Sequence, residues 1–345
     1  MKSRAAKSGI GRSRWMSYAL IVYMGLTIPT LGLVSDRGGD EERWAILVVG
    51  AVGDPDLQQA YLKELEQLYY FLTRQLGFAR ERVRVLFENP AKNPAVIANK
   101  STRGNLLEVC RSLASKVKDE DLIFVFIDGH GSYDGKTYKL NLVGPDPTAE
   151  DLAEMINLIP ARRSVVVNAT SSSGASLAGL SRKGRVVITA TKSGMERNLT
   201  HAGKFFIEAL TDAAADSDKD GRVSLMEAFL YLKQKVEEYY KNEGSLQTEH
   251  PVIDNNGDGE GHDQFSPDEG EGFLARATFL DKTRGLIEEG ELDPDKQALI
   301  REARNLERQI EDLKAAKGDM PEAEYEKKLE ELFLRLARIN AKLRK

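Results

Sequence analysis

Apolar and polar residues alternate along the chain in blocks that predict a series of strands and helices. Short apolar runs predict buried strands at 44–50, 83–87, 121–127, 165–169 and 186–190. Apolar residues at helical spacing predict helices at 56–76, 102–117, 148–159, 205–215 and 225–240. Strands that alternate with helices favour a mainly parallel sheet with helices on both faces. We therefore predict an α/β fold for residues 36–285.

The pattern changes from about Asp293 onward, where apolar residues recur at heptad spacing. One stripe comprises Leu299, Ala303, Leu306, Ile310 and Leu313, and the other comprises Tyr325, Leu329, Leu332, Leu336, Ile339 and Leu343. Gly318 and Pro321 separate the two stripes, which predicts an antiparallel helical hairpin over 293–345, with coiled-coil-like packing. The hairpin packs on itself or on the α/β body, or it binds a partner protein or oligomerises; the pattern leaves these alternatives open.

The N-terminal segment, residues 1–35, has a basic head followed by an uncharged apolar run from Trp15 to Val34. This arrangement predicts a signal peptide or a membrane anchor with its basic end in the cytoplasm. We expect the protein to be exported to a periplasmic or extracellular location. The pattern does not decide between cleavage and anchoring of the protein to the membrane by residues 15–34.

Charge and cysteine content narrow the class of protein. The 345 residues carry a net charge of −5, so no basic excess indicates nucleic acid as a partner. The single cysteine, Cys110, excludes an intrachain disulfide and a multi-cysteine zinc site. We predict that Cys110 is a small core residue of its helix.

Two of the predicted strands end in residues that could form a reactive site. One strand runs into Gly129-His130-Gly131, and the other runs through Asn168 into Thr170 and Ser171. Ligands of open α/β sheets bind just beyond the carboxyl ends of the strands. A histidine can act as a general base, and a hydroxyl beside it is the minimum geometry for nucleophilic catalysis. A structural strand-to-helix turn that is rich in serine is the alternative.

Three stretches resemble one family of proteins. They are Trp44-Ala-Ile-Leu-Val-Val-Gly50, Phe124-Val-Phe-Ile-Asp-Gly-His130-Gly-Ser132 and Val167-Asn168-Ala169-Thr170. Together they resemble the legumain and caspase clan of cysteine proteases over roughly residues 44–215. The resemblance implies a caspase-like α/β fold and the general-base role for His130. It also places Asn168 at the acidic or amide position that precedes the nucleophile by two residues.

The sequence departs from that family at the nucleophile. Thr170 stands where the family has its catalytic cysteine, and a shift of one residue would place Ser171 there. A hydroxyl needs stronger activation than a thiol, with oxyanion donors expected around Gly129 to Gly131. We therefore expect a pseudoprotease that binds a peptide or protein partner in the former substrate cleft. The alternatives are a hydrolase that uses Thr170 or Ser171 with His130, and a structural or assembly subunit that acts through the hairpin.

A segment between two predicted helices matches the EF-hand calcium loop. Its oxygen-bearing residues fall at loop positions 1, 3, 5, 9 and 12, which are Asp216, Asp218, Asp220, Ser224 and Glu227. Gly221 occupies the turn position, and Arg222 would contribute its backbone carbonyl. The sequence therefore predicts one Ca²⁺, which would be structural at extracellular calcium concentrations; an acidic surface turn is the alternative.

A second stretch begins like the first loop, with Asp254, Asn256, Asp258 and Gly259 in the corresponding positions. Phe265 replaces the acid at position 12, so only half of the motif is present. This stretch binds calcium weakly, pairs with the first loop, or is a plain turn.

Overall fold

The computed structural model describes residues 41–219, 221–264, 272–281 and 320–343, together with isolated positions between 299 and 313. The predicted N-terminal anchor, residues 15–34, therefore lies outside the described residues, as do Asp220 and Phe265. Within the described part of the chain, no helix is both long and apolar enough to cross a membrane.

A seven-stranded sheet forms the centre of the α/β region. The strands of the chain are β1 Arg43–Val49, β2 Val83–Phe87, β3 Asn99–Lys100, β4 Leu122–Asp128, β5 Gly131–Tyr133, β6 Tyr138–Leu140, β7 Arg163–Asn168, β8 Arg185–Thr189 and β9 Val252–Asp254. The order in the sheet is β3-β2-β1-β4-β7-β8-β9. All neighbouring pairs are parallel except β8 and β9, which are antiparallel. The predicted mainly parallel α/β sheet is confirmed.

Helices cover both faces of this sheet, which explains why its central strands are apolar throughout. The helices are α1 Pro55–Arg74, α2 Arg103–Ala114, α3 Ala149–Asn157, α4 Leu177–Leu180, α5 Ala202–Thr211, α6 Leu225–Asn242, α7 Phe273–Ala277 and α8 Glu322–Leu343. One core contains residues of α1, α5 and α6, such as Leu65, Phe206 and Phe229. The other contains residues of α2 and α3, including Ile156 and the fully buried Cys110.

A small antiparallel hairpin, formed by β5 and β6, follows β4 directly and was not predicted. A backbone hydrogen bond from the Asn141 N–H to the His130 carbonyl extends the pairing of the two strands. The turn contains Asp134-Gly135, a dipeptide that favours tight hairpins. The hairpin brings Tyr138 back over the carboxyl ends of β4 and β7.

The C-terminal region contributes a separate apolar cluster around Leu306 and Ile339. Leu299, Leu332 and Leu336 pack against these two residues, so the two predicted heptad stripes contact each other at these positions. The turn predicted near Gly318 lies outside the described residues, as does Ala303 of the first stripe. The antiparallel hairpin therefore stays a prediction.

Candidate functional site

The two strand ends that the sequence singles out are neighbours in the sheet. β4 pairs with β7 in a register that places Ile127 beside Asn168. Because both strands run in the same direction, His130 and Thr170 follow at the same edge of the sheet. The structure thus brings the predicted histidine and hydroxyl residues to one place.

Thr170 is fully buried, and its hydroxyl belongs to a closed hydrogen-bond network. The hydroxyl donates to Asn168 Oδ1 at 2.8 Å and lies 2.7 Å from the Tyr138 hydroxyl. The Asn168 amide in turn donates to the Tyr138 oxygen at 3.1 Å and to Ser176 Oγ at 2.9 Å. Burial raises the pKa of Tyr138 to about 12, so the phenol stays protonated. The Thr170 hydroxyl therefore has protein partners within the core.

Ser171 is bound to the backbone of Gly131. Its Oγ accepts from the Gly131 N–H at 3.1 Å and donates to the Gly131 carbonyl at 2.9 Å. Only a glycine fits here, because a Cβ on residue 131 would lie 2.4 Å from the Ser171 carbonyl oxygen. The hydrogen bond to Ser171 Oγ also occupies the Gly131 N–H, which the sequence pattern predicts to act as an oxyanion donor.

His130 is half-buried at the rim of this network. Across the described ranges of the chain, its ring has no hydrogen-bond or ion-pair partner. The neighbouring hydroxyls of Thr170 and Ser171 bond to Asn168, Tyr138 and Gly131 instead. The histidine and the hydroxyls are thus close in the fold but do not form a hydrogen-bonded dyad.

Three carboxyl groups to which the sequence patterns assign no role interact electrostatically near the end of β4. Asp128 ends β4 and is buried, and burial raises the pKa of its carboxyl well above the usual range. Burial also raises the pKa of Glu249 to about 7, and the pKa of Glu64 is raised for the same reason. Glu249 accepts from the N–H groups of His201 and Ala202 at the start of α5. No local pattern marks these acids, because they come from distant parts of the chain.

The turn after Ser171 is also held by a residue from another loop. Ser172 adopts a left-handed conformation, with φ of 58°, and its N–H donates to the Glu196 carbonyl at 2.8 Å. The Glu196 carboxylate bonds to His250 Nδ1 at 2.5 Å. Glu196 therefore joins the serine-rich turn to the segment that precedes β9.

The predicted calcium loop connects α5 to α6 as a helix–loop–helix unit. Carboxylate oxygens of Asp216, Asp218 and Glu227 lie within 4.8 Å of one another. Gly221 has φ of +88°, which glycine tolerates best, and its N–H donates to Asp216 Oδ2 at 3.0 Å. Converging carboxylate oxygens of this kind are ligands that hard metal cations take. The three described acidic side chains could therefore hold a metal ion.

Hydrogen bonds hold the Glu227 side chain in place. It forms a capping box with Ser224 at the start of α6, and its other oxygen accepts from the Ser217 N–H. Burial alone would raise its pKa, but hydrogen bonds from Ser224, Ser217 and Asp218 outweigh burial, so the pKa is lowered. Glu227 is thus an ionised carboxylate. The Arg222 side chain points to Asp281, a contact that the sequence did not indicate.

The second acidic stretch folds into a turn of its own. The buried Asp254 accepts from the N–H groups of Gly257 at 2.8 Å and Gly259 at 3.1 Å. In the first loop, Ser224 forms an antiparallel bridge with Phe279 and not with a residue of this second turn.

The fold and the site together define an α/β protein with a mainly parallel sheet and hydroxyl residues at its carboxyl edge. No protein-family model matches the sequence, and no curated protein is significantly similar to it. The chain is similar in structure to the Drosophila initiator caspase Dronc, with 11% identity, a TM-score of 0.42, and coverage of 64% of this chain and 82% of that chain. It is also similar to a protein from Geobacter sulfurreducens, with 11% identity, a TM-score of 0.40, and coverage of 66% and 96%.

Proposed function

We propose that residues 36–285 form a legumain- or caspase-like domain that binds a peptide or protein partner without hydrolysing it. The observation that carries this proposal is the bonding of Thr170. Its side chain is 0% exposed, and its hydroxyl is bonded to Asn168 and Tyr138 rather than to His130. A nucleophile needs a base within hydrogen-bond reach and access to the substrate, and Thr170 lacks both.

One further contact and the burial of the only cysteine support the absence of hydrolysis. The Gly131 N–H already bonds to Ser171 Oγ, so it is not free to stabilise an oxyanion. Cys110 cannot supply a thiolate, because it is buried in α2 and burial raises its pKa to about 12. A binding role needs only the exposed rim of the site, where His130 is half-buried and Ser132 is exposed.

The alternative function, a hydrolase that uses Thr170 or Ser171 with His130, is tested with fluorogenic peptides that carry Asn or Asp before the scissile bond. We expect no turnover by the native protein, and none by Thr170→Cys, because the side chain at 170 is enclosed and the Gly131 N–H is occupied. Turnover by the native protein that is abolished in His130→Ala, and also in either Thr170→Val or Ser171→Ala, would overturn the proposal in favour of a hydrolase.

The binding role is tested by selecting peptides from a displayed random library. Selected peptides should lose affinity for Ser132→Trp, which fills the rim, and should keep affinity for Lys118→Trp, an exposed position away from the site. Failure to select any peptide that depends on Ser132 would remove the binding role.

We also propose that the loop from Asp216 to Glu227 binds one Ca²⁺ that stabilises the domain. Asp216, Asp218 and Glu227 supply converging carboxylates, and Glu227 remains ionised. Calorimetric titration of the full chain with calcium tests the site. A heat that Glu227→Gln reduces is expected, because position 12 supplies two oxygens to the ion.

A structural or assembly role for the C-terminal region is the second candidate function. Phe333 and Leu334 on α8 are 41% and 50% exposed, although the neighbouring Leu332 and Leu336 pack inward. Exposed apolar residues of this kind favour protein–protein contact. Light scattering of the full chain should show a larger species that the double substitution Phe333→Ser and Leu334→Ser reduces to a monomer.

The N-terminal segment is proposed to direct export, either as a cleaved signal peptide or as an anchor that holds the protein at the membrane by residues 15–34. Its uncharged apolar run behind a basic head supports this role. Membrane fractionation of the full chain and of a variant without residues 15–34 tests it; an unchanged distribution would reject it.

A further inference from the structure

The Arg222 side chain joins the proposed calcium loop to a later part of the chain. Its guanidinium donates to both carboxylate oxygens of Asp281, from Nε at 2.9 Å and from Nη2 at 2.7 Å. It also lies 3.7 Å from the centre of the Phe279 ring. Both side chains of the ion pair are largely shielded from solvent. A bidentate pair of this kind has a defined geometry, so it fixes the direction of the Arg222 side chain.

The backbone around this ion pair binds the same two segments together. Ser224 forms an antiparallel bridge with Phe279, and the Leu225 N–H donates to the Thr278 carbonyl at 2.9 Å. The Phe279 carbonyl accepts from the guanidinium of Arg43, the first residue of β1. The segment Thr278–Asp281 is therefore held between the calcium loop and the amino-terminal edge of the sheet.

Arg222 also occupies a loop position that is expected to contact the proposed ion. Position 7 of an EF-hand loop supplies its backbone carbonyl to calcium, and Arg222 occupies that position. An ion that binds the carbonyl restricts the backbone from which the guanidinium extends. The same ion restricts Ser224, whose backbone forms the bridge to Phe279.

We propose that calcium in the loop controls how firmly Thr278–Asp281 is attached to the domain, with Arg222 as the connecting residue. This inference rests on the proposed calcium site and adds a regulatory role to it.

Apolar packing opposes a complete release of the segment. Leu280 and Thr278 are buried, and the side chain of Leu280 belongs to the same core as α5 and α6. Loss of the ion should therefore loosen the hydrogen-bonded backbone of the segment without unfolding the domain. Local opening of this kind is measured by amide hydrogen exchange.

The experiment compares amide exchange of the full chain in calcium and in chelator, with calcium heats measured on the same samples. In the native protein, calcium should slow exchange at 278–281 by about tenfold or more. Asp281→Asn, which lies outside the loop, should still bind calcium but lose most of that protection, and Arg222→Ala should lose the protection as well. Arg276→Ala, which removes an exposed cation from neighbouring α7, should retain it.

The outcomes separate this inference from the calcium site itself. A calcium heat without any change in exchange at 278–281 would overturn the inference and leave the site intact. Absence of the heat would overturn both. Full protection in both Arg222→Ala and Asp281→Asn would show that the ion pair does not connect the loop to the segment. Asp281→Asn lies outside the loop, so it decides the matter if Arg222→Ala fails to fold.

Discussion

Polar side chains at the carboxyl edge and at the amino-terminal edge of the sheet differ in their bonding partners and in the direction of their pKa shifts. At the carboxyl edge, the hydroxyls of Thr170 and Ser171 bond to protein groups, and burial raises the pKa values of Asp128 and Glu249. At the amino-terminal edge, the loop carboxylates converge, and hydrogen bonds keep the pKa of Glu227 low.

The difference teaches that residue type alone does not make a reactive site. Polar groups that satisfy one another belong to the folded interior, and an added ligand would have to displace those bonds. A carboxylate oxygen that accepts an N–H bond keeps a further lone pair, so a cluster of carboxylates can also hold a metal ion. The polar side chains of the first edge therefore bond mainly to one another, whereas the second edge brings three carboxylate groups within 4.8 Å of one another.

The largest expected effect comes from filling the space at Gly131. In Gly131→Ala, the new Cβ would lie 2.4 Å from the Ser171 carbonyl oxygen and 2.8 Å from Thr170 Oγ1. We expect the free energy of unfolding to fall by about 3 kcal/mol, the upper range for overpacking. Urea denaturation measures this. Gly104→Ala in α2, where a Cβ meets nothing within 4 Å, is the control and should not destabilise the protein. Equal stability of both variants would mean that the carboxyl edge is loosely packed.

Removal of calcium should have the next largest effect. Chelation should lower the free energy of unfolding by about 2.7 kcal/mol relative to free calcium at a hundred times the dissociation constant. Differential scanning calorimetry should detect the corresponding fall in melting temperature in the native protein and a smaller fall in Glu227→Gln. Asp258→Asn, in the second acidic turn, should behave like the native protein. A reduced response of Asp258→Asn would show that the two acidic stretches both bind the ion.

The buried carboxyls predict how stability depends on pH. Glu249 has a pKa raised to about 7 in the fold, so its contribution is fully present below its unfolded value near 4.5 and is lost as pH rises toward 7. We expect the free energy of unfolding to fall by about 2 kcal/mol over that interval, and the raised pKa of Asp128 acts in the same direction.

Urea denaturation at a series of pH values checks this dependence. Glu249→Gln should flatten the decline, whereas the exposed control Glu120→Gln should leave it unchanged. A decline of the same size in Glu249→Gln would assign the effect to other groups and weaken the contrast between the two edges.

The smallest effect concerns the hydroxyl network itself. Thr170→Val keeps the shape of the side chain but removes its bonds to Tyr138 and Asn168, and about 1–2 kcal/mol should be lost. Tyr138→Phe should cost a similar amount, and the double variant should cost less than the sum because the two groups share one bond. Strict additivity in thermal denaturation would show that the two hydroxyls do not interact.

Local patterns were sufficient for much of this molecule. Long apolar runs identified β1, β2, β4, β7 and β8 to within about two residues, the usual uncertainty of element ends. The calcium loop was recognisable because its proposed ligands lie within twelve consecutive residues, from Asp216 to Glu227. The β5–β6 hairpin was missed although Asp134-Gly135 signalled it, because its strands have only three residues each.

The sequence by itself determined which residue types reach each edge of the sheet: strand order and direction bring His130 and Thr170 together once the apolar runs pair. Only the tertiary structure decided what those residues do. The partner of the Thr170 hydroxyl is Tyr138, 32 positions away, and Ser171 bonds to Gly131, 40 positions away. Burial removes water as an alternative partner, so a hydroxyl takes the protein groups that packing places nearest. Such contacts join residues without any fixed spacing along the chain.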